Sequence, residues 1–178
     1  MRQRLREAAD DQVLVRLRRS GDLEDVDGVV LGVGRRWVLL AATEETGHLE
    51  GHVAVRLKHV RDVERSTSFA TRFAPTQHGW PPVLPDGVDL DRTSELVRAM
   101  AALGDLVSVQ QEKWVPGVMW VGAVDEVRDG WLWLLEVRVD GSWHDEPMGY
   151  PLRRISMVAV GSRYLATLGS VSPRDAVG

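Results

Sequence analysis

His48, Glu50 and His52 put two imidazoles and a carboxylate within one short stretch, a grouping that invites a metal ion. Backbone geometry argues otherwise. On a strand, residues four apart are separated by about 13 Å, too far to share one ion. On a helix they would meet, but Gly47 and Gly51 bracket the stretch and oppose a helix. No metal is therefore expected, and His144-Asp145-Glu146, after Trp143, reads as a second polar loop tip. The chain contains no cysteine, which removes disulfides, thiolate zinc sites and cysteine nucleophiles together. Gly32-Val33-Gly34 lacks the third glycine and following helix of a dinucleotide site, and no hydrolase elbow or phosphate loop occurs. Serines and histidines are scattered without paired acids, so we expect no catalytic residues, no cofactor and no enzyme.

The elements that must position any binding residues are used twice. Gly28 to Leu40, GVVLGVGRRWVLL, returns as Gly122 to Leu134, GAVDEVRDGWLWL. A shift of 94 sets Val13 on Val107, Val15 on Val109, Val30 on Val124, Val33 on Val127 and Trp37 on Trp131. Past the tryptophans the shift becomes 95, and Leu57, Val60, Val63 and Phe69 meet Leu152, Ile155, Val158 and Tyr164. Internal repetition takes precedence in assigning a fold. Each copy begins with a short helix: Arg2 to Ala9, and a second capped by Thr93 or Ser94, striped by Leu96, Val97, Met100 and Leu103, and stopped at Gly104.

Val13, Val15 and Leu17 then alternate with Arg16 and Arg18 as on a strand with one wet face, and Ser20-Gly21-Asp22 can reverse the chain. Val30 and Val33 are an odd number of residues apart, so both point inward only if the strand bulges between them, which Gly32 and Gly34 make easy. Arg35-Arg36 forms the hairpin tip, and Trp37 to Ala42 an apolar strand. Leu57, Val60 and Val63, like Leu152, Ile155 and Val158, have the three-residue spacing of a single 3₁₀ turn between the last two strands. Phe69 and Phe73, with Tyr164 and Leu168, are expected to cap the barrel ends. Trp131 is expected in the core like Trp37. Trp133 is expected to point the other way and, with Trp120, to line an interface between barrels or protomers.

Length allows two small domains: a first barrel over residues 1–74, a Pro/Gly-rich connector over 75–91, and a second barrel over 92–178. The connector is stiffened by its prolines, with Trp80 pinning it onto a barrel. Hydrophobic residues make up 44% and charged residues 27%, the balance of a soluble globular chain rather than a disordered one. No signal-like segment or long apolar run is visible, so a cytoplasmic location and no membrane association are expected. Net charge is −4, but residues 1–80 carry 13 basic against 12 acidic groups and the remainder 9 against 14. Only the first copy favours polyanions on this count.

Helix, bent strands joined by a tight hairpin, a fourth strand, one 3₁₀ turn and a fifth strand resemble the Sm-like (LSm) superfamily. The resemblance spans roughly residues 2–73 and 95–168. It implies a mainly β fold of two Sm-like/SH3-like five-stranded small barrels, each preceded by a short α-helix. It also implies scaffolding or RNA binding, often in oligomeric rings, with RNA facing the hairpin between the second and third strands and the turn between the fourth and fifth. Carried over, those places hold Arg35 and Arg36 with Lys58 and His59 in the first copy, and Asp129 and Gly130 with Arg153 and Arg154 in the second. Lys58-His59 matches the bacterial members' Lys-His pair, whereas the family's hairpin Asp and Asn are absent and Asp129 repels phosphate. The expectation is a non-catalytic interaction or scaffold module with a protein partner or a homo-oligomer. The alternatives are RNA binding through the first copy, which charge reversal at Arg35 and Arg36 should abolish, and small-molecule sensing at the inter-barrel interface.

Overall fold

The computed structural model describes residues 1–21 and 23–172. The chain divides into two compact units, Met1–Asp91 and Arg92–Gly178. The first opens with α1 (Arg2–Asp10), which buries Leu5 and Ala8 and leaves its arginines in water. Five strands follow: β1 (Leu14–Arg19), β2 (Val26–Val33), β3 (Trp37–Thr43), β4 (Leu49–Arg56) and β5 (Val60–Arg65). One 3₁₀ turn, Leu57–His59, joins the last two, and α2 (Ala70–Phe73) follows. The second unit repeats the plan with α3 (Thr93–Ala101), β6 (Val107–Gln110), β7 (Met119–Arg128), β8 (Trp131–Glu136), β9 (Met148–Pro151), β10 (Met157–Val160) and α4 (Arg163–Val171).

Strand order is β5-β1-β2-β3-β4 in the first unit and β10-β6-β7-β8-β9 in the second, with antiparallel neighbours in each. The same order thus recurs. In neither unit does the fourth strand pair with the fifth among the described residues, so hydrogen bonds do not close the expected barrels. The tight turn carries the chain away from the fourth strand, and the fifth takes its partners from the first, Leu17 opposite Val63 and Val109 opposite Val158.

Register shows how deep the repetition runs. Val33 faces Val38 and Val127 faces Leu132, each residue displaced by 94, and a register shift falls between Val30 and Gly32 and again between Val124 and Glu126. The predicted bulge is present in both units, but no glycine occupies it: the residue skipped in the pairing is Leu31 in the first and Asp125 in the second, with Gly32 following in the first alone. Trp37 faces Arg56 and Trp131 faces Pro151, which carries the shift from 94 to 95. Gly28 and Gly122 are demanded by close approach: a Cβ on either would lie 2.3 Å from the Ala41 carbonyl oxygen or 2.2 Å from that of Leu135.

The first strand departs from the expected alignment. Val15, not Val13, corresponds to Val107, and Leu17 to Val109, because the pairings of β1 and β6 are displaced by 92. Loop length before β2 and β7 absorbs the difference; Asp22 of the expected reversal lies outside the described residues. Thr93 and Ser94 do not cap α3: Arg92 is its N-cap, without a side-chain cap bond, and Thr93 is buried. Gly104 is not a left-handed stop either, since the helix ends in right-handed geometry at Ala102. A Cβ at Gly104 would meet Val160 at 2.9 Å.

The expected aromatic caps give way to helix packing. Phe69 and Tyr164 are exposed, while Ala70 and Ala74 in one unit and Leu165 and Leu168 in the other cover small apolar clusters built on Leu14 and Leu106. Trp80 packs against the first of these clusters, pinning the connector to its own unit. Trp131 is 40% exposed, whereas Trp37 is wholly buried. At the matching register place the Arg56 guanidinium sits over the Trp37 ring, 4.7 Å from its centroid, where Trp131 has Pro151 on β9, with Arg128 opposite it on β7. Trp133 does not point away from Trp131. Two residues apart on β8, they share a face, with ring centroids 6.5 Å apart.

Candidate functional site

Hairpin tips show where the two units part. In the second unit, Asp129 and Gly130 have φ of 50° and 80°, the left-handed pair of a two-residue turn whose twist suits its strands. The first unit has Arg35-Arg36 at that place, neither with positive φ among the described residues. Outside groups clamp this tip. The Asp91 carboxylate accepts from the Arg35 N–H at 2.6 Å and from Arg35 Nε at 2.9 Å, while the Leu90 carbonyl accepts from the N–H groups of Arg36 and Trp37 at 3.4 and 3.1 Å. Leu90 can lie this close because Gly34 has no side chain; a Cβ there would fall 2.5 Å from the Leu90 Cβ.

The clamp holds the tip against the 3₁₀ turn, where the Leu57 N–H donates to the Arg36 carbonyl at 2.9 Å. From α1, Arg2 Nη2 donates to the Arg35 carbonyl at 2.5 Å. The result is a cleft of about 500 Å³ whose polar walls include Arg2, Arg35, Arg36, Arg56 and Lys58, with no acidic residue lining it among the described residues. Four arginines elsewhere in this unit are matched with acids, Arg4 with Asp62, Arg16 with Asp27, Arg18 with Asp25 and Glu64, and Arg65 with Asp11, and within the cleft Arg35 is matched with Asp91. Arg2 and Arg36 have no ion pair among the described residues. Burial, and then the nearby Arg36 charge, push the Arg56 guanidinium down to about 10, so it stays cationic at neutral pH and adds to the field at the cleft.

Of the four residues expected here, Arg35, Arg36 and Lys58 come together, whereas His59 is not among the lining residues. Its carbonyl accepts from the Ser20 N–H. Arg2 and Arg56 escape sequence reading for different reasons. Arg56 precedes Lys58 by two residues at a strand end, a spacing that could have flagged it. Arg2 is a helical arginine with no local signal.

In the second unit the corresponding Leu152 N–H donates to the Gly130 carbonyl at 2.9 Å, but the hairpin brings an aspartate. Arg153 is exposed, and the Arg154 guanidinium lies 4.6 Å from the Trp114 ring centroid. Trp120 is half-buried against Tyr150, with centroids 4.9 Å apart. Burial, and then its hydrogen bond to Glu136, raise the Tyr150 phenol above its ordinary range, so it remains a donor.

His48 and His52 serve structure. The His48 ring lies 4.6 Å from that of Phe73 and its Nδ1 is 2.8 Å from Thr46 Oγ1. No group of His, Asp and Glu able to hold a metal occurs among the described residues. Burial holds the His52 imidazole below the ordinary 6.5. The unfolded chain then takes up this proton at higher pH than the folded one, so stability is unaffected well above 6.5 and falls as pH drops from there through the folded value. Denaturant unfolding across that range should show this decline in the wild type and a shallower one in His52→Gln.

No described helix is long and apolar enough to cross a membrane. No protein family, no curated protein and no solved structure matches the chain.

Proposed function

We propose that the chain is a non-catalytic RNA-interaction module built from two Sm-like units, the first of which grips the phosphate backbone of a single strand. The observation that supports this most is the cleft of Arg2, Arg35, Arg36, Arg56 and Lys58, without an acidic residue in its lining among the described residues, in a protein of net charge −4. A locally cationic concavity on an acidic molecule attracts polyanions where it lies and repels them elsewhere. Arginine donors in a fork suit phosphate oxygens, and Arg36 needs no internal partner displaced before it can bind. Trp37 is wholly buried, so the cleft presents no aromatic face to bases and binds through charge.

Fluorescence anisotropy with a labelled single-stranded oligoadenylate tests this reading across a salt series. Engagement of about four phosphates gives a slope of log K against log salt near −3, on the order of a fifty-fold loss between 50 and 200 mM. An affinity indifferent to salt excludes the cleft as the site.

The second unit supports an assembly role. Trp131 and Met148 are 40% and 51% exposed on β8 and β9, and β9 ends the strand order. Exposed apolar side chains beside a terminal strand favour pairing with another chain. Mass measurement of purified protein, with and without Trp131→Gln, distinguishes an oligomer from a monomer.

A further inference from the structure

The loop between β6 and β7 presents one large aromatic under unusual constraint. Trp114 is 56% exposed, yet its backbone is fixed: its N–H donates to the Gln111 carbonyl at 2.7 Å, and that of Val115 to the same oxygen at 2.9 Å. The two residues before Lys113 anchor the turn. Gln111 and Glu112 are 4% and 7% exposed; the Glu112 N–H donates to Ser156 Oγ at 3.2 Å, and Ser156 Oγ lies 2.7 Å from Glu112 Oε2. Buried polar pins therefore hold an indole out in water. On one side the ring meets the Arg154 guanidinium at 4.6 Å, and exposed Lys113 and Arg153 are its neighbours in sequence and across that contact. The acid of the loop, Glu112, is buried and engaged.

We propose that Trp114 is a base-stacking platform: an unpaired nucleobase lies on the indole, with Arg154 steadying the ring and Arg153 and Lys113 meeting the adjoining phosphates. This rests on the RNA reading above and extends it with a contact that needs bases rather than charge alone. A fixed, exposed aromatic loses little freedom on binding, and every base has a face that stacks. Cations around the loop favour a nucleic acid over an apolar protein surface, which would leave three charges to be desolvated. The units have divided the work in opposite ways. The first carries cations at its hairpin and acids after β1, with Asp25 tied to Arg18, whereas the second carries Asp129 at its hairpin and the Lys113-Trp114 pair in the loop after its first strand.

The test uses the full chain, labelled single-stranded oligoadenylate, and inorganic polyphosphate as a base-free polyanion. Trp114→Ala, on an exposed side chain, should weaken oligoadenylate binding about tenfold while leaving the salt slope and polyphosphate binding unchanged. Trp114→Phe should restore most of the loss. If Trp114→Ala binds oligoadenylate as the wild type does while Arg36→Glu does not, the platform is overturned and the cleft stands. An equal loss toward polyphosphate also overturns it, since stacking cannot act on a ligand without bases. If wild-type protein fails to bind oligoadenylate at all, both fall.

Discussion

Gly28→Ala is expected to destabilise the first unit by about 3 kcal/mol, at the upper end of overpacking penalties, and to lower its melting temperature by roughly 15 °C. The added methyl would be 2.3 Å from the Ala41 carbonyl oxygen and 3.2 Å from the Ala42 Cα. Those are backbone atoms in the β2–β3 ladder, where Gly28 faces Ala42 and Val29 faces Ala41. No rotamer change relieves the contact; the strands must separate, and the hydrogen bonds that set their register go with them. Gly122→Ala should behave alike in the second unit, with 2.2 Å to the Leu135 oxygen. Gly169→Ala is the contrast. It lies within α4, where the new Cβ meets Leu106 at an ordinary 3.6 Å, so a gain of about 0.5–1 kcal/mol is expected from helix propensity. Thermal unfolding followed by circular dichroism orders the three, and a Gly28→Ala protein as stable as the wild type refutes the close-approach account.

Charge reversal at the cleft has the largest expected effect on binding. Arg36→Glu should reduce oligoadenylate affinity about a hundredfold at moderate salt, since it removes a phosphate contact and sets a carboxylate against the next one. Arg36 is a better choice than Arg35. Its backbone groups hold the tip, to Leu90 and Leu57, and remain after substitution, whereas reversing Arg35 also breaks its pair with Asp91. Circular dichroism should show the fold intact while anisotropy shows the loss and a shallower salt dependence. Retained affinity in a folded Arg36→Glu protein removes the cleft from consideration.

Much of this was legible in the sequence for a physical reason. Side chains that must face inward, and glycines that must admit a carbonyl, leave marks whose spacing survives when identity does not. Gly28 and Gly122, the bulge after Val30 and Val124, and the step from 94 to 95 beyond the tryptophans are all visible in the letters and recur in the register. The first strand is misleading because alternating valines and leucines look alike under a shift of two, so Val13 aligns with Val107 as well as Val15 does; pairing with the neighbouring strands on both sides decides for Val15. Trp131 is misleading because burial depends on what packs onto the ring, and Pro151 stands where the Arg56 guanidinium lies over Trp37. Trp133 lies beside Trp131 because the strand period of two returns alternate residues to one face. The cleft was half legible: Arg35, Arg36 and Lys58 lie on turns that any hairpin plan brings together, whereas Arg2 arrives from a helix whose docking no local pattern encodes.

The clamp on the arginine tip bears on how such a device can be moved or inherited. Its two cations sit at residues 35 and 36, but the groups that fix their geometry, the Leu90 carbonyl and the Asp91 carboxylate, come only after the chain has passed through β3, β4, the 3₁₀ turn, β5 and α2. Grafted onto a foreign sheet, residues 28–40 would carry the charge and lose the posture, since nothing in the segment itself supplies the left-handed residues that Asp129-Gly130 provides. Such a tip is the joint property of a hairpin and a distant strap, and a descendant that shed the strap would have to rebuild its turn.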